Sequence, residues 1–184
     1  NITGRTTTEN QTEATPYFQG SSLPDFYGGL NNHLSYKNFE LSFLFSYSIG
    51  GKIFDGDQPM IMHLGYAPGR NWSREALSRW TPENRDTDFP RLSYVSDSWN
   101  TIPSTRFLYS ATYAPLKNID LSYSLPDKLI ARWNVTEARI HLSGENILTL
   151  YGHKGLDPEQ TVSGSTFYRY PAQKLYSVGV HVSF

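Results

Sequence analysis

The chain has 184 residues, with 16 Lys and Arg against 17 Asp and Glu, 10 Phe, 4 Trp, 13 Tyr and no cysteine. That length allows one large domain or a piece of something bigger. A net charge of -1 excludes the basic footprint of a nucleic-acid or anionic-lipid binder, and the missing cysteine excludes a disulfide framework, a thiolate metal site and a thiol nucleophile. The longest uncharged apolar stretch, 41–51, is far shorter than the roughly 20 residues a membrane helix needs, and Ser42, Ser46 and Ser48 interrupt it. The opening Asn1-Ile2-Thr3-Gly4 carries no leader pattern, so the sequence reads as a mature chain, an excised domain or a fragment.

Residues 1–26 lack periodicity and predict an irregular lead-in. Leu30, Leu34 and Tyr36 then alternate with Asn31, His33 and Ser35. After Lys37-Asn38, the residues Phe39, Leu41, Phe43, Phe45, Tyr47 and Ile49 alternate with Glu40, Ser42, Ser46, Ser48 and Gly50. A two-residue hairpin loop sets Tyr36 opposite Phe39, Ser35 opposite Glu40, Leu34 opposite Leu41 and Leu30 opposite Phe45, so like meets like across the pair. Asn32 falls on the apolar face. In the long segment 50–106, Asn71 is placed to cap a brief helix on which Trp72, Ala76 and Trp80 recur before Pro82 ends it.

A third strand is predicted over 107–125, with its larger side chains on odd positions. Pro115 has no amide to donate, which predicts a bulge nearby and a parity slip that changes where Lys117 points. The fourth strand sets Ala138, Ile140, Leu142 and Gly144 against Glu137, Arg139, His141, Ser143 and Glu145. The last sets Tyr176, Val178, Val180, Val182 and Phe184 against Ser177, Gly179, His181 and Ser183.

Connections alternate between short (37–38 and 126–136) and long (50–106 and 149–174), the layout of an outer-membrane barrel. The apolar face is rich in rings placed near strand ends: Tyr36, Phe39, Tyr123, Trp133 and Phe184 at one end, Tyr27, Tyr47, Tyr109 and Tyr176 toward the other. The opposite face carries His33, Glu40, Asp120, Arg139, His141, Glu145 and His181, as a wet lumen would. This favours an all-β fold, about five antiparallel strands of a transmembrane barrel, over a soluble β-sandwich. The alternation Tyr176, Val178, Val180, Val182, Phe184 is the kind of strand that barrel-assembly machinery reads by adding it to its own sheet edge.

The ordered set of motifs resembles the C-terminal barrel region of the SusC/RagA family of TonB-linked outer-membrane transporters. It comprises Leu23-Pro24-Asp25-Phe26-Tyr27-Gly28-Gly29-Leu30-Asn31-Asn32, Tyr36-Lys37-Asn38-Phe39-Glu40-Leu41-Ser42 and Leu77-Ser78-Arg79-Trp80-Thr81-Pro82-Glu83-Asn84. Leu116-Lys117-Asn118-Ile119, Leu121-Ser122-Tyr123-Ser124-Leu125-Pro126, Ser143-Gly144-Glu145-Asn146-Ile147-Leu148-Thr149-Leu150, Gly155-Leu156-Asp157-Pro158-Glu159 and Tyr170-Pro171 follow in family order. The sequence departs from the pattern at Ala114-Pro115 and in its Thr-rich opening.

The resemblance implies a bacterial outer-membrane location and a 22-stranded parent barrel with an N-terminal plug, of which residues 27–184 form the C-terminal part and 1–26 an extracellular lead-in. It also implies a SusD-like surface lipoprotein as lid, TonB acting through an N-terminal region that this sequence lacks, outer-membrane lipid around the barrel, and glycan or peptide cargo. A passive porin and a soluble carbohydrate-binding sandwich are the alternatives.

Trp72, Trp80, Tyr94 and Trp99 share the long loop and could form a platform for substrate or lid, although a loop of this length also needs a small core of its own. His33, His141 and His181 share the polar face, but no carboxylate recurs around them at ligand spacing, so no metal site is expected. Asp157 and Glu159 flank Pro158 in a loop, where nothing sets a catalytic separation. With no triad, P-loop or dinucleotide fingerprint either, neither an enzyme nor a cofactor is expected. The four Asn-x-Ser/Thr sequons, at Asn1, Asn10, Asn71 and Asn134, are chance products of Asn- and Thr-rich loops.

Overall fold

The computed structural model describes residues 13–65, 67–93, 102–153, 156–157, 159 and 163–184. Its strands are β1 (Phe26–Tyr36), β2 (Phe39–Ile49), β3 (Lys52–Asp55), β4 (Leu108–Ser110), β5 (Tyr113–Ser124), β6 (Glu137–Tyr151), β7 (Ser165–Thr166) and β8 (Leu175–Ser183). One antiparallel sheet takes the order β1-β2-β5-β6-β8, and a small sheet takes the order β4-β3-β7.

The hairpin has the register that the alternation demands: Tyr36 faces Phe39, Ser35 faces Glu40, Leu34 faces Leu41 and Leu30 faces Phe45. Lys37 supplies the turn by adopting φ 54°. The register propagates, so that Leu34, Leu41, Leu121, Leu142 and Val178 form one aliphatic row across all five strands. Phe39 and Tyr123 touch in the row nearest the short turn, with ring centroids 4.6 Å apart. Among the described residues no second sheet covers this face: Leu142 is 48% exposed and Val178 74%. The soluble sandwich, which needs these side chains sealed between two layers, is therefore overturned.

Tyr27 pairs with Ser48 and so belongs to the polar face; Phe26, opposite Ile49, takes the apolar position expected of it. Gly28 and Gly29 intervene, and glycines carry no side chain from which parity can be read.

The run 107–125 is not one strand. It breaks at Ala111-Thr112, and β4, with Tyr109, leaves the main sheet to pair with β3. The matching kink on the other arm is Gly50-Gly51, at φ 91° and 75°. A Cβ on Gly51 would stand 2.9 Å from the Ser22 carbonyl oxygen, so the backbone of the lead-in lies directly against the bend. β3 and β4 are thus the bent-over tips of β2 and β5.

The slip near Pro115 occurs one step along. Phe45 pairs with Leu116 and Leu44 with Asn118, leaving Lys117 outside the ladder. Beyond the slip Leu116, level with Phe45, takes the apolar face, and the odd residues Tyr113 and Pro115 move to the other side. On β6 the step from Glu145 to Leu148 spans Asn146, which adopts φ 51°, a conformation that asparagine tolerates better than most residues.

The connection after β5 holds a short helix, Asp127–Ile130, and the helical turn that follows it, Ala131–Trp133, is closed by Asn134 at φ 52°. Ile130 is buried, while Trp133 stands exposed at the short-turn end. β6 runs on to Tyr151, past the expected loop start at 149. No helix among the described residues is long and apolar enough to cross a membrane, which leaves spanning by strands untouched. The main-sheet strands have 9 to 15 residues, enough for the roughly 9–11 that a tilted membrane strand needs.

Candidate functional site

Three surfaces bear on function: the polar face, the long-loop module and the free edge of β8. On the polar face Arg139 lies 3.5 Å from Glu40 and 3.3 Å from Glu137, and pairs in register with His181. These ion pairs are more than a third exposed and contribute little to stability. His141 lies over Gly179 on the neighbouring strand, where a Cβ would meet the imidazole at 2.1 Å. His33 is three strands away from His141, roughly 14 Å at normal strand spacing, too far to share a metal ion. Among the described residues no group of metal-ligating side chains occurs.

The long loop builds its own core: Met62, Leu64 and Ala76 are buried, with Phe89 and Leu92 packed against them. Ile53, Phe107 and Leu156 are buried as well. Instead of the helix expected from Asn71 onward there is one 3-10 turn, Arg74–Ser78, capped by Ser73, whose hydroxyl accepts from the Glu75 amide. The chain leaves that turn because the Trp80 amide donates to the Phe89 carbonyl at 2.9 Å. Asn84 holds the excursion by donating to the carbonyls of Ser78 (3.0 Å) and Arg79 (3.2 Å), and the Thr87 hydroxyl donates to Ser78 as well (2.6 Å). The motif Leu77–Asn84 is therefore a backbone-shaping unit.

Trp72 and Trp80 occupy different places. Trp72 meets the His63 ring edge-on at 5.5 Å, whereas Trp80 lines an open cleft of about 570 Å³ together with Phe89 and Arg106. Tyr94 and Trp99 lie outside the described residues. Arg106, which sequence reasoning passed over, sits between rings, 5.4 Å from the Phe89 centroid and 5.2 Å from that of Phe107. Burial lowers the pKa of its guanidinium, while Tyr109 and Asp88 act in the opposite sense. Lys117, set free by the strand slip, pairs with Glu159 and ties the second long loop to the sheet. Only the spacing around Pro115 hinted at this contact.

His63 is 2% exposed, and its Nδ1 accepts from the amides of Gly65 (3.3 Å) and Ala67 (3.1 Å), which requires the neutral ring. Burial lowers its pKa, as does nearby Arg70. A lowered folded pKa means that its stabilising contribution is complete above the unfolded value of about 6.5 and is lost as pH falls through the folded value. Protection factors at 60–65, taken relative to the slower intrinsic exchange in acid, are expected to fall on acidification from about pH 7 to about pH 5. His63→Gln should flatten that response; an equal response in both proteins would remove His63 as its source.

An antiparallel sheet with one apolar face left uncovered among the described residues, one polar face, spanning-length strands and long loops at one end is a section of the wall of a transmembrane β-barrel. The sequence is 31% identical over 176 residues to TonB-dependent receptor P3 of Formosa agariphila, and 30% identical over 181 residues to receptor P26 of the same organism. Each match covers 90% of this chain and 17% of the relative. Solved structures of the RagAB peptide transporter superpose on 91% of the chain and 18% of theirs, with a TM-score of 0.73 and 30% identity in one state. In the closed-closed state of the RagAB importer the TM-score is again 0.73, with 31% identity. No family model matches the chain.

The chain belongs to the SusC/RagA-type TonB-dependent receptors and corresponds to the C-terminal segment of their barrel. Its relatives are outer-membrane proteins of Gram-negative bacteria. It spans less than a fifth of their length.

Proposed function

We propose that this segment forms part of the barrel wall of an outer-membrane importer energised through TonB. Residues 27–184 contribute the wall and its long loops, and the lead-in 1–26 lies with the extracellular loops. The observation that carries this reading is the uncovered aliphatic row Leu34, Leu41, Leu121, Leu142 and Val178 on a sheet whose other face is polar. Lipid contacts the first face and the aqueous lumen the second. The cargo is peptide or glycan; the peptide transporter among the matches supports the former. The segment performs no covalent chemistry, and its relatives are receptors and transporters.

A SusD-like lipoprotein covers the mouth, against the loops bearing Trp72 and Trp80. β8, with Tyr176, Val178, Val180, Val182 and Phe184 on its lipid side, serves as the signal for the assembly machinery.

In cells deleted for the full-length gene, re-expression should restore growth on an oligopeptide or oligosaccharide as sole nutrient and pull down the lipoprotein. Growth unaffected by the deletion would contradict the import reading. Trp72→Ala with Trp80→Ala should weaken lipoprotein retention or cargo affinity by about tenfold, the usual scale for an aromatic anchor. Both unchanged would remove the tryptophans from the interface.

A further inference from the structure

Arg106 makes no ion pair among the described residues, although Asp88 stands near enough to favour its charge. Its guanidinium is held in place by the Phe89 and Phe107 rings, and its Nη2 is buried with no hydrogen-bond partner. A buried donor left unpaired costs free energy, and ring faces only partly compensate. Arg106 is also one of the residues lining the open cleft of about 570 Å³, a volume in the range of small-ligand sites. Around it stand Trp80, Phe89 and Pro90, with Arg91 and Asp88 on the polar side.

We propose that this cleft is a carboxylate-binding subsite that takes the free C-terminal carboxylate of a short peptide, with Arg106 as its partner. An anion at this point satisfies the fixed guanidinium by charge-assisted hydrogen bonds, while the wall formed by Trp80, Phe89 and Pro90 packs against the apolar side chain of the terminal residue. Asp88 decides between carboxylate sources. It repels a second carboxylate, which disfavours a polyuronate chain, and it accepts from the backbone amides that a peptide offers. The inference rests on the import reading and narrows its cargo.

The test is calorimetry on the full-length transporter in detergent, with an alanine-rich hexapeptide ending in phenylalanine as free acid and as C-terminal amide. The acid is expected to bind about tenfold more tightly than the amide, the scale of one charge-assisted hydrogen bond. Arg106→Gln should bring the acid down to the level of the amide, and Arg106→Lys should recover part of the difference. Should Arg106→Gln fail to fold, the acid-to-amide ratio in the wild type decides alone.

Equal binding of acid and amide, or an oligogalacturonate that binds as tightly as the acid, would overturn the proposal. Peptide uptake that continues alongside equal acid and amide affinities removes the subsite only. Loss of the import reading itself would instead show as no dependence of nutrient uptake on the transporter.

Discussion

Arginine in place of Leu142 is expected to destabilise the assembled barrel by about 2–4 kcal/mol, whereas Ser143→Arg, one residue on, should cost about 1 kcal/mol or less. The difference follows from the strand period. Leu142 lies in the row shared with Leu121 and Val178, on the face left uncovered among the described residues, and on the proposed reading a charge there enters hydrocarbon with no partner. Ser143 lies between Asp120 and Ser177 on the polar face, where a guanidinium stays wet and gains a nearby carboxylate. Equilibrium unfolding of the full-length barrel in phospholipid vesicles reads the two costs directly. Equal penalties at 142 and 143 would mean that the two faces do not meet different media.

Replacing Val180 and Val182 on β8 with aspartate should reduce the folded barrel recovered from cells roughly tenfold, through both lipid-face cost and a lost recognition strand. β8 is an edge strand: β6 occupies one side of its backbone, and its other side is unpaired in the described sheet. Its apolar residues recur at every second position, with Val180 at 66% exposure and Phe184, just beyond the strand, at 88%. A free edge with this pattern is suited to strand addition. The two contributions separate if folding is also measured in vesicles without the machinery, where only the lipid cost remains. A signal role predicts a larger loss in cells than in vesicles. Identical losses would reduce β8 to an ordinary lipid-facing strand. Ser177→Asp with Ser183→Asp, on the polar face, should be nearly silent in both settings.

Much of the main sheet was legible because a two-residue turn couples parity to register. Once Lys37-Asn38 is placed, Leu34 must face Leu41, and any one-residue error would set apolar side chains against polar ones. The same logic identified β6 and β8. It failed where parity carries no information. Gly28-Gly29 hid the true face of Tyr27, and the unbroken alternation through 107–125 concealed the departure of β4, since a strand that changes sheets keeps its period.

The loop module was less readable. Trp72, Ala76 and Trp80 recur at helical spacing, but a tertiary hydrogen bond from Trp80 to Phe89 and a cap at Ser73 rather than Asn71 leave a single turn. Of the proposed platform residues, Trp72 stands partly exposed with its ring against His63, and Trp80 lines the cleft. Of the cleft's two arginines, Arg106 comes from the far end of the loop, and no sequence period links it to Trp80.

On the proposed reading, lipid meets the apolar face and water the polar face. The chain contains no cysteine, so single labelling sites can be introduced within it at 141–144 and 177–180. Spin labels at these positions in the full-length barrel, reconstituted in vesicles, should alternate: oxygen accessibility high at 142, 144, 178 and 180, and accessibility to a water-soluble nickel chelate high at 141, 143, 177 and 179. Labels that show no period of two, or that reach the chelate equally from both faces, would contradict the account.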